Sequence, residues 1–194
     1  MFADGLTRCG WVPPGDDLYR AYHDEEWGVP LRDDQKLFEL LVLETFQAGL
    51  SWRLILGRRE AFRRAFSGFD AVVMASWTDR DLDRLLADPT IIRNRQKLAA
   101  ARTNAGAYLR LQDDNGSFSD WLWRFVAGQP VVGRHRHQAD VPARTELSDQ
   151  VSAVLRAAGF RFVGSVTVYA YLQAAGLVQD HVQDCYRYRE LTAP

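Results

Sequence analysis

The sequence has few cysteines, and their scarcity excludes a disulfide-rich framework. Its 194 residues contain two, Cys9 and Cys185, near opposite ends of the chain. Lysine is also rare, because Lys36 and Lys97 are the only lysines among 24 basic residues. These two are therefore the only lysine side chains that could form a Schiff base with a substrate.

Long hydrophobic runs and an excess of one charge are also lacking. No stretch is long and apolar enough to span a bilayer, and the N-terminus does not read as a secretory signal. We therefore expect a cytoplasmic protein without a membrane partner, in which both thiols stay reduced. The formal net charge of −1 does not demand a nucleic-acid partner, although a local basic patch could still bind one.

What the sequence does contain is enough apolar material for a sizeable core. Hydrophobic residues make up 47% and charged residues 25%, which excludes a disordered chain. The length predicts one domain over residues 1–194, with two sub-lobes possible.

Apolar residues recur mostly at helical spacing, so we predict an all-α fold. The segment 127–147 contains glycine and proline without periodicity and is predicted to be a loop. Residues 166–171 have strand-like propensity but continue into an alanine-rich segment, so we interpret them as helix. The predicted helices cover 33–49, 51–66, a segment that opens at Thr78, 92–111, 117–126, 148–159 and 164–176.

Two cysteines and two histidines at the ends of the chain form a possible metal set. Cys9 is followed by His23, and His181 precedes Cys185 by four residues, which would place the latter pair on one face of a helix. Two thiolates and two imidazoles suit tetrahedral zinc. The spacing is not that of a compact zinc finger, so two buried thiols and two hydrogen-bonded histidines are an alternative interpretation.

Aromatic and acidic residues are concentrated in the N-terminal half. Glu44 follows apolar residues on a predicted helix. A carboxylate that faces the core destabilises the fold unless it is paired with another group or has a functional role. A glutamate that reaches water at the core boundary is the alternative. The nearby aromatic residues could stack on a flat ring or fill the core; they are Trp11, Tyr19, Tyr22, Trp27 and Trp52.

Within residues 88–105, a short turn leads into a helix that begins with Arg93, Arg95 and Lys97. Basic residues oppose the helix dipole at this end, and an anionic partner would relieve the conflict. Together with the preceding helix, the turn is a candidate helix–hairpin–helix. An ordinary solvated turn is the alternative.

Taken together, several sequence blocks resemble the 3-methyladenine DNA glycosylase I family, in order and over nearly the whole chain. The blocks are RCGW at 8–11, YHDEEWGVP at 22–30, LETFQAGLSW at 43–52, IIRNRQK at 91–97, GFRFVG at 159–164 and AAGLVQDH at 174–181, followed by Cys185. The resemblance implies an all-α helix–hairpin–helix glycosylase bundle.

The resemblance also implies roles for individual residues. It assigns a structural zinc that joins the terminal segments to Cys9, His23, His181 and Cys185. It places Glu44 as the catalytic residue of the base pocket, which is lined by Tyr22, Trp52, Trp11 and Trp27. It assigns contacts with the DNA backbone to Arg93, Arg95 and Lys97.

The activity implied is hydrolysis of the N-glycosidic bond of N3-methyladenine in double-stranded alkylated DNA. The base is flipped into the pocket, free 3-methyladenine is the product, and the enzyme is a monofunctional monomer. Two alternatives stay open: a bifunctional glycosylase/lyase that uses Lys97, and a zinc-stapled DNA-binding domain without catalysis. Thr45 and Ala170 depart from the family pattern in the pocket, and Thr90 departs from it at the hairpin turn.

Overall fold

The computed structural model describes residue 2 and residues 4–193. Eleven α-helices in these residues confirm the all-α prediction. The helices are α1 (Asp17–Glu25), α2 (Asp34–Gln47), α3 (Trp52–Gly57), α4 (Arg59–Ala65), α5 (Ala71–Ala75), α6 (Asp79–Ala87), α7 (Arg95–Asn115), α8 (Phe118–Trp123), α9 (Glu146–Ala157), α10 (Ser165–Ala174) and α11 (Tyr186–Thr192). Short 3₁₀ turns cover Ser67–Phe69, Arg124–Val126 and Gln138–Asp140.

Side-chain caps set several helix starts and correct some predicted boundaries. Asp33 caps α2, and Thr78, where a helix was predicted to open, caps α6. The helix predicted from residue 92 begins at Arg95, because the side chain of Asn94 accepts the hydrogen bond of a first-turn amide. Likewise Thr145, and not Ser148, caps α9.

Other departures come from breaks and short elements. The helix predicted over 51–66 is two helices, α3 and α4, because the backbone of Arg58 leaves the helical conformation between them. The short helices α1, α5 and α11 were not predicted. Within the predicted loop 127–147, β1 (Val131–Val132) pairs in parallel with β2 (Val178–Gln179).

The core is organised around α2, which is buried along most of its length. Most of its apolar side chains are buried, and it packs against α3, α7, α8 and α10. The stretch from Leu41 to Phe46 is buried on every side, so its one carboxylate, Glu44, is held in a defined place. In the part of the chain that is described, no helix has both the length and the apolar composition needed to cross a membrane.

Candidate functional site

The four predicted metal ligands converge on one point. The ligand atoms of Cys9, His23, His181 and Cys185 all lie within 4.8 Å of one another, and all four residues are buried. Three sulfur–nitrogen distances are 3.4 Å (Cys9 Sγ to His181 Nδ1), 3.4 Å (Cys185 Sγ to His23 Nε2) and 3.5 Å (Cys185 Sγ to His181 Nδ1). Tetrahedral Zn–S and Zn–N bonds of about 2.3 and 2.0–2.1 Å imply S···N edges of about 3.5 Å. The cluster therefore fits a tetrahedral divalent metal.

Three separate parts of the chain supply these ligands. Cys9 precedes α1, His23 lies in α1, and the other two follow β2. The stretch His181–Cys185 is a turn closed by the Cys185 amide on the Val182 carbonyl (2.8 Å), and not the predicted helix. A turn of this kind still brings both side chains to the same side. The cluster consequently joins the N-terminal and C-terminal segments.

Outer contacts orient both histidines. His23 Nδ1 lies 2.8 Å from Asp24 Oδ1, and Arg8 in turn donates to both carboxylate oxygens of Asp24. His181 Nε2 lies 3.1 Å from the carbonyl oxygen of Trp27. Metal-bound histidines characteristically use their second nitrogen in this way. These contacts leave the remaining nitrogen of each ring directed at the cluster centre.

Next to the cluster lies a cavity of about 350 Å³ lined by aromatic side chains. Trp11 contacts Tyr19 and Trp27 edge to face, each at 5.2 Å between centroids, and Tyr22 lies 5.5 Å from Trp52. Trp27 also packs on His181, with centroids 4.5 Å apart, so one side chain borders both cluster and cavity. The lining residues are Trp11, Tyr19, Tyr22, Trp27, Glu44, Gln47, Trp52, Gln138, Val141, Pro142, Ala170 and Gln173.

Glu44 is the one carboxylate among the cavity residues, and it has no counter-charge. It is 3% exposed, and no hydrogen bond reaches its carboxyl group from the described residues. Burial raises its pKa from the usual 4.5 to about 8. The group is therefore mostly protonated at neutral pH when the cavity is empty. Its ionisation lowers the free energy of unfolding as the pH rises from about 4.5 to about 8, because the unfolded state releases this proton first.

All five predicted pocket residues thus line one cavity. Of the family departures, Ala170 also lines it, whereas Thr45 does not: its hydroxyl donates to the Val42 carbonyl within α2 (2.7 Å). Sequence reasoning missed Gln138, Val141 and Pro142, which lie in the segment predicted to be a loop. No periodicity marks these residues, so no sequence signal indicated that they approach Glu44.

A second cavity of about 380 Å³ shares Tyr22 and Trp52 with the first but has a different character. Four of its charged residues form the pairs Arg63–Glu39 and Arg59–Glu26. The other two, Glu25 and Lys36, are exposed to solvent, so this cavity contains no buried, unpaired carboxyl group comparable to Glu44. The aromatic cavity is therefore the better candidate site.

The structure separates the three basic residues predicted to contact a phosphate backbone. Arg93 is exposed, whereas Arg95 pairs with Asp83 of α6. Lys97 is buried, and its Nζ donates to the carbonyl oxygens of Phe46 (2.8 Å) and Ala48 (2.6 Å). Because both carbonyls belong to the end of α2, Lys97 caps that helix instead of facing a surface partner. In this structure the amine of Lys97 is engaged by the protein's own backbone, and its contact with the DNA backbone stays a prediction.

A second hairpin, between α9 and α10, was not assigned to a ligand by the sequence reasoning. Phe162 adopts a left-handed conformation (φ 57°), and α10 begins after Gly164 without a side-chain cap. Phe162 and Val166 are exposed on either side of this start. The free amides of α10 therefore point outward from a helix whose later residues, Ala170 and Gln173, line the aromatic cavity.

Comparisons with known proteins agree with this arrangement. The methyladenine glycosylase family model matches residues 11–188. The chain is 46% identical to DNA-3-methyladenine glycosylase 1 of Escherichia coli (strain K12) over 180 residues, which cover 93% of this chain and 96% of that protein. The crystal structure of 3-methyladenine DNA glycosylase I superposes with a TM-score of 0.90 at 44% identity, over 93% of this chain and 98% of that one. A variant of such an enzyme solved in complex with 3-methyladenine gives a TM-score of 0.87 at 41% identity, over 89% and 92% of the two chains.

Proposed function

The chain belongs to the methyladenine glycosylase family, and from this premise we propose that it excises 3-methyladenine from alkylated double-stranded DNA. The reaction is hydrolysis of the N-glycosidic bond between the methylated base and its deoxyribose. One observation carries the proposal: an unpaired, buried carboxyl group, Glu44, borders a cavity to which five aromatic side chains contribute.

The cavity residues suit a base that has left the duplex. An enzyme that acts on a base must first extrude it from the stack. Tyr22 and Trp52 then offer aromatic surfaces to the purine, and each stacked base contributes about 1–3 kcal/mol. The size of the cavity, about 350 Å³, is in the range of small-molecule sites.

Glu44 supplies the preference for a methylated base. Methylation at N3 makes the adenine in DNA cationic, and a cation in a desolvated cavity is attracted strongly by a carboxylate. A cation bound beside Glu44 lowers the pKa that burial had raised and so favours the ionised form of the carboxyl group. Because the cationic base is already an activated leaving group, little general-acid catalysis is required, and water is the nucleophile.

The position of Lys97 agrees with a monofunctional enzyme. A lyase forms a Schiff base through a free amine. The amine of Lys97 is buried and donates to the carbonyls of Phe46 and Ala48 instead of reaching the cavity. The bifunctional alternative that relies on Lys97 is therefore disfavoured by geometry.

The metal in this proposal is zinc, held by Cys9, His23, His181 and Cys185. Two thiolates and two imidazoles are a preferred donor set for structural zinc, and a four-ligand protein site leaves no open position for water. When bound, zinc supplies a structural link and takes no part in hydrolysis. Two buried cysteines without a disulfide fit a reducing compartment, so we include a cytoplasmic location in the proposal. The proposed enzyme acts as a monomer.

The direct test is to incubate the protein with methylated double-stranded DNA and separate the released bases by chromatography. We expect free 3-methyladenine to appear with time and unmodified adenine to stay in the DNA. DNA without methylation is the control. Binding of the DNA without release of any base would contradict the proposal and favour a DNA-binding domain without catalysis.

We further propose that two segments contact the DNA backbone, as in a helix–hairpin–helix. The first hairpin is the connection between α6 and α7, which contains Arg93, and the second segment is the uncapped start of α10. Arg93→Ala removes an exposed charge that has no partner among the described residues, so we expect the slope of log affinity against log salt to flatten by about one unit. Arg189→Ala, at an exposed position in α11, is the matched control. Equal slopes for the two variants would remove the first hairpin from the DNA face.

A further inference from the structure

Residues 133–142, which we name the strap, border the aromatic cavity. The strap follows β1 and contains the 3₁₀ turn Gln138–Asp140. Three of its residues, Gln138, Val141 and Pro142, line the cavity together with Glu44 and Trp52. The strap therefore supplies a wall of the cavity that comes from neither α2 nor α10.

A buried carboxylate fastens the strap to the rest of the cavity wall. Asp180 is 1% exposed and lies beside β2. Its Oδ1 lies 3.2 Å from His135 Nε2 of the strap. Its Oδ2 accepts hydrogen bonds from Tyr169 (2.5 Å) and Gln173 (2.7 Å) of α10. Because Gln173 also lines the cavity, Asp180 connects two walls of the same site.

The backbone of the strap is fitted closely around this contact. The amide of Gly133 donates to the Gln179 carbonyl, and the His135 carbonyl accepts from the Gln183 amide, both at 2.9 Å. A Cβ atom at Gly133 would lie 2.1 Å from Asp180 Oδ1 and 2.7 Å from His135 Nε2. Any larger residue at 133 would consequently displace the His135–Asp180 contact.

We propose that the strap limits which purines the cavity accepts, and that His135 is a positioning residue that holds it against the cavity through Asp180. The proposal rests on the proposed function. Val141 and Pro142 give this wall an apolar surface, and Gln138 adds an amide that makes no hydrogen bond with the described residues. A wall fixed in place limits the space in the cavity and so favours a small methylated adenine over a purine that carries more exocyclic groups.

The test compares the binding of two free bases, 3-methyladenine and the bulkier 7-methylguanine, by calorimetry. His135→Ala releases the strap, and we expect the ratio of the two affinities to fall by about fivefold, as loss of a methylene-sized contact would produce. His135→Gln retains a donor and is expected to restore the parent ratio. Val141→Ala widens the cavity and leaves the contact between His135 and Asp180 in place. It is expected to lower the ratio of affinities even if His135→Ala does not fold.

Arg134→Ala, at an exposed position in the strap, is the matched control and should retain the parent ratio. Parent-like ratios in both His135→Ala and Val141→Ala would overturn the proposal. So would an equal loss of affinity for both bases accompanied by loss of metal, since that result reports a general structural role. If the parent bound no 3-methyladenine, the proposed function would fail first, and the strap proposal with it.

Discussion

Cys185→Ser is expected to lose the bound metal and to lower the melting temperature by at least about 10 °C, the shift that corresponds to about 4 kcal/mol in a domain of this size. The reason lies in the cluster geometry, because Cys185 approaches both His23 and His181 and serine is a poor zinc ligand. Binding free energy at such a site contributes directly to folding. Metal content by atomic absorption and thermal unfolding by circular dichroism measure the two effects.

The control for this prediction is His137→Ala, since His137 is an exposed histidine outside the cluster. It should retain both the metal content and the melting temperature of the parent. A chelator should lower the melting temperature of the parent and of His137→Ala but leave Cys185→Ser unchanged. Stoichiometric metal in Cys185→Ser, with parent-like melting, would contradict the assignment of these ligands.

Glu44→Gln is expected to slow the release of 3-methyladenine from DNA by about 10- to 100-fold, which corresponds to loss of about 1.5–3 kcal/mol from a charge-assisted hydrogen bond. The substitution keeps the shape of the side chain and removes the carboxylate that attracts the cationic base. Single-turnover excision from methylated DNA measures the change. A rate equal to that of the parent would show that Glu44 is not the source of selectivity.

Two controls separate this effect from damage to the fold. Burial raises the pKa of Glu44 to about 8, so the empty parent loses stability as the pH approaches 8, and Glu44→Gln does not. The variant should therefore melt at or above the parent temperature at pH 8. Trp52→Ala removes stacking instead of charge, so it should weaken the binding of neutral and cationic purines alike.

The sequence by itself determined the helical class and much of the helix pattern, and it named residues that line the aromatic cavity and form the Cys/His cluster. Periodicity is local, and a cap such as Asp33 or Thr78 acts within one turn, so these features are readable along the chain. The resemblance to a known family assigned Glu44 and the four metal ligands. Their convergence into one pocket and one cluster is present in the structure.

Only the tertiary structure decided which distant groups individual side chains contact. The sequence places Lys97 in a basic turn, but packing of α7 against the end of α2 buries its amine on two carbonyls. The strap has no periodicity, and its place at the cavity depends on the contact between His135 and Asp180, 45 residues apart. Such contacts are set by how distant segments pack, and neither local propensity nor residue spacing encodes them.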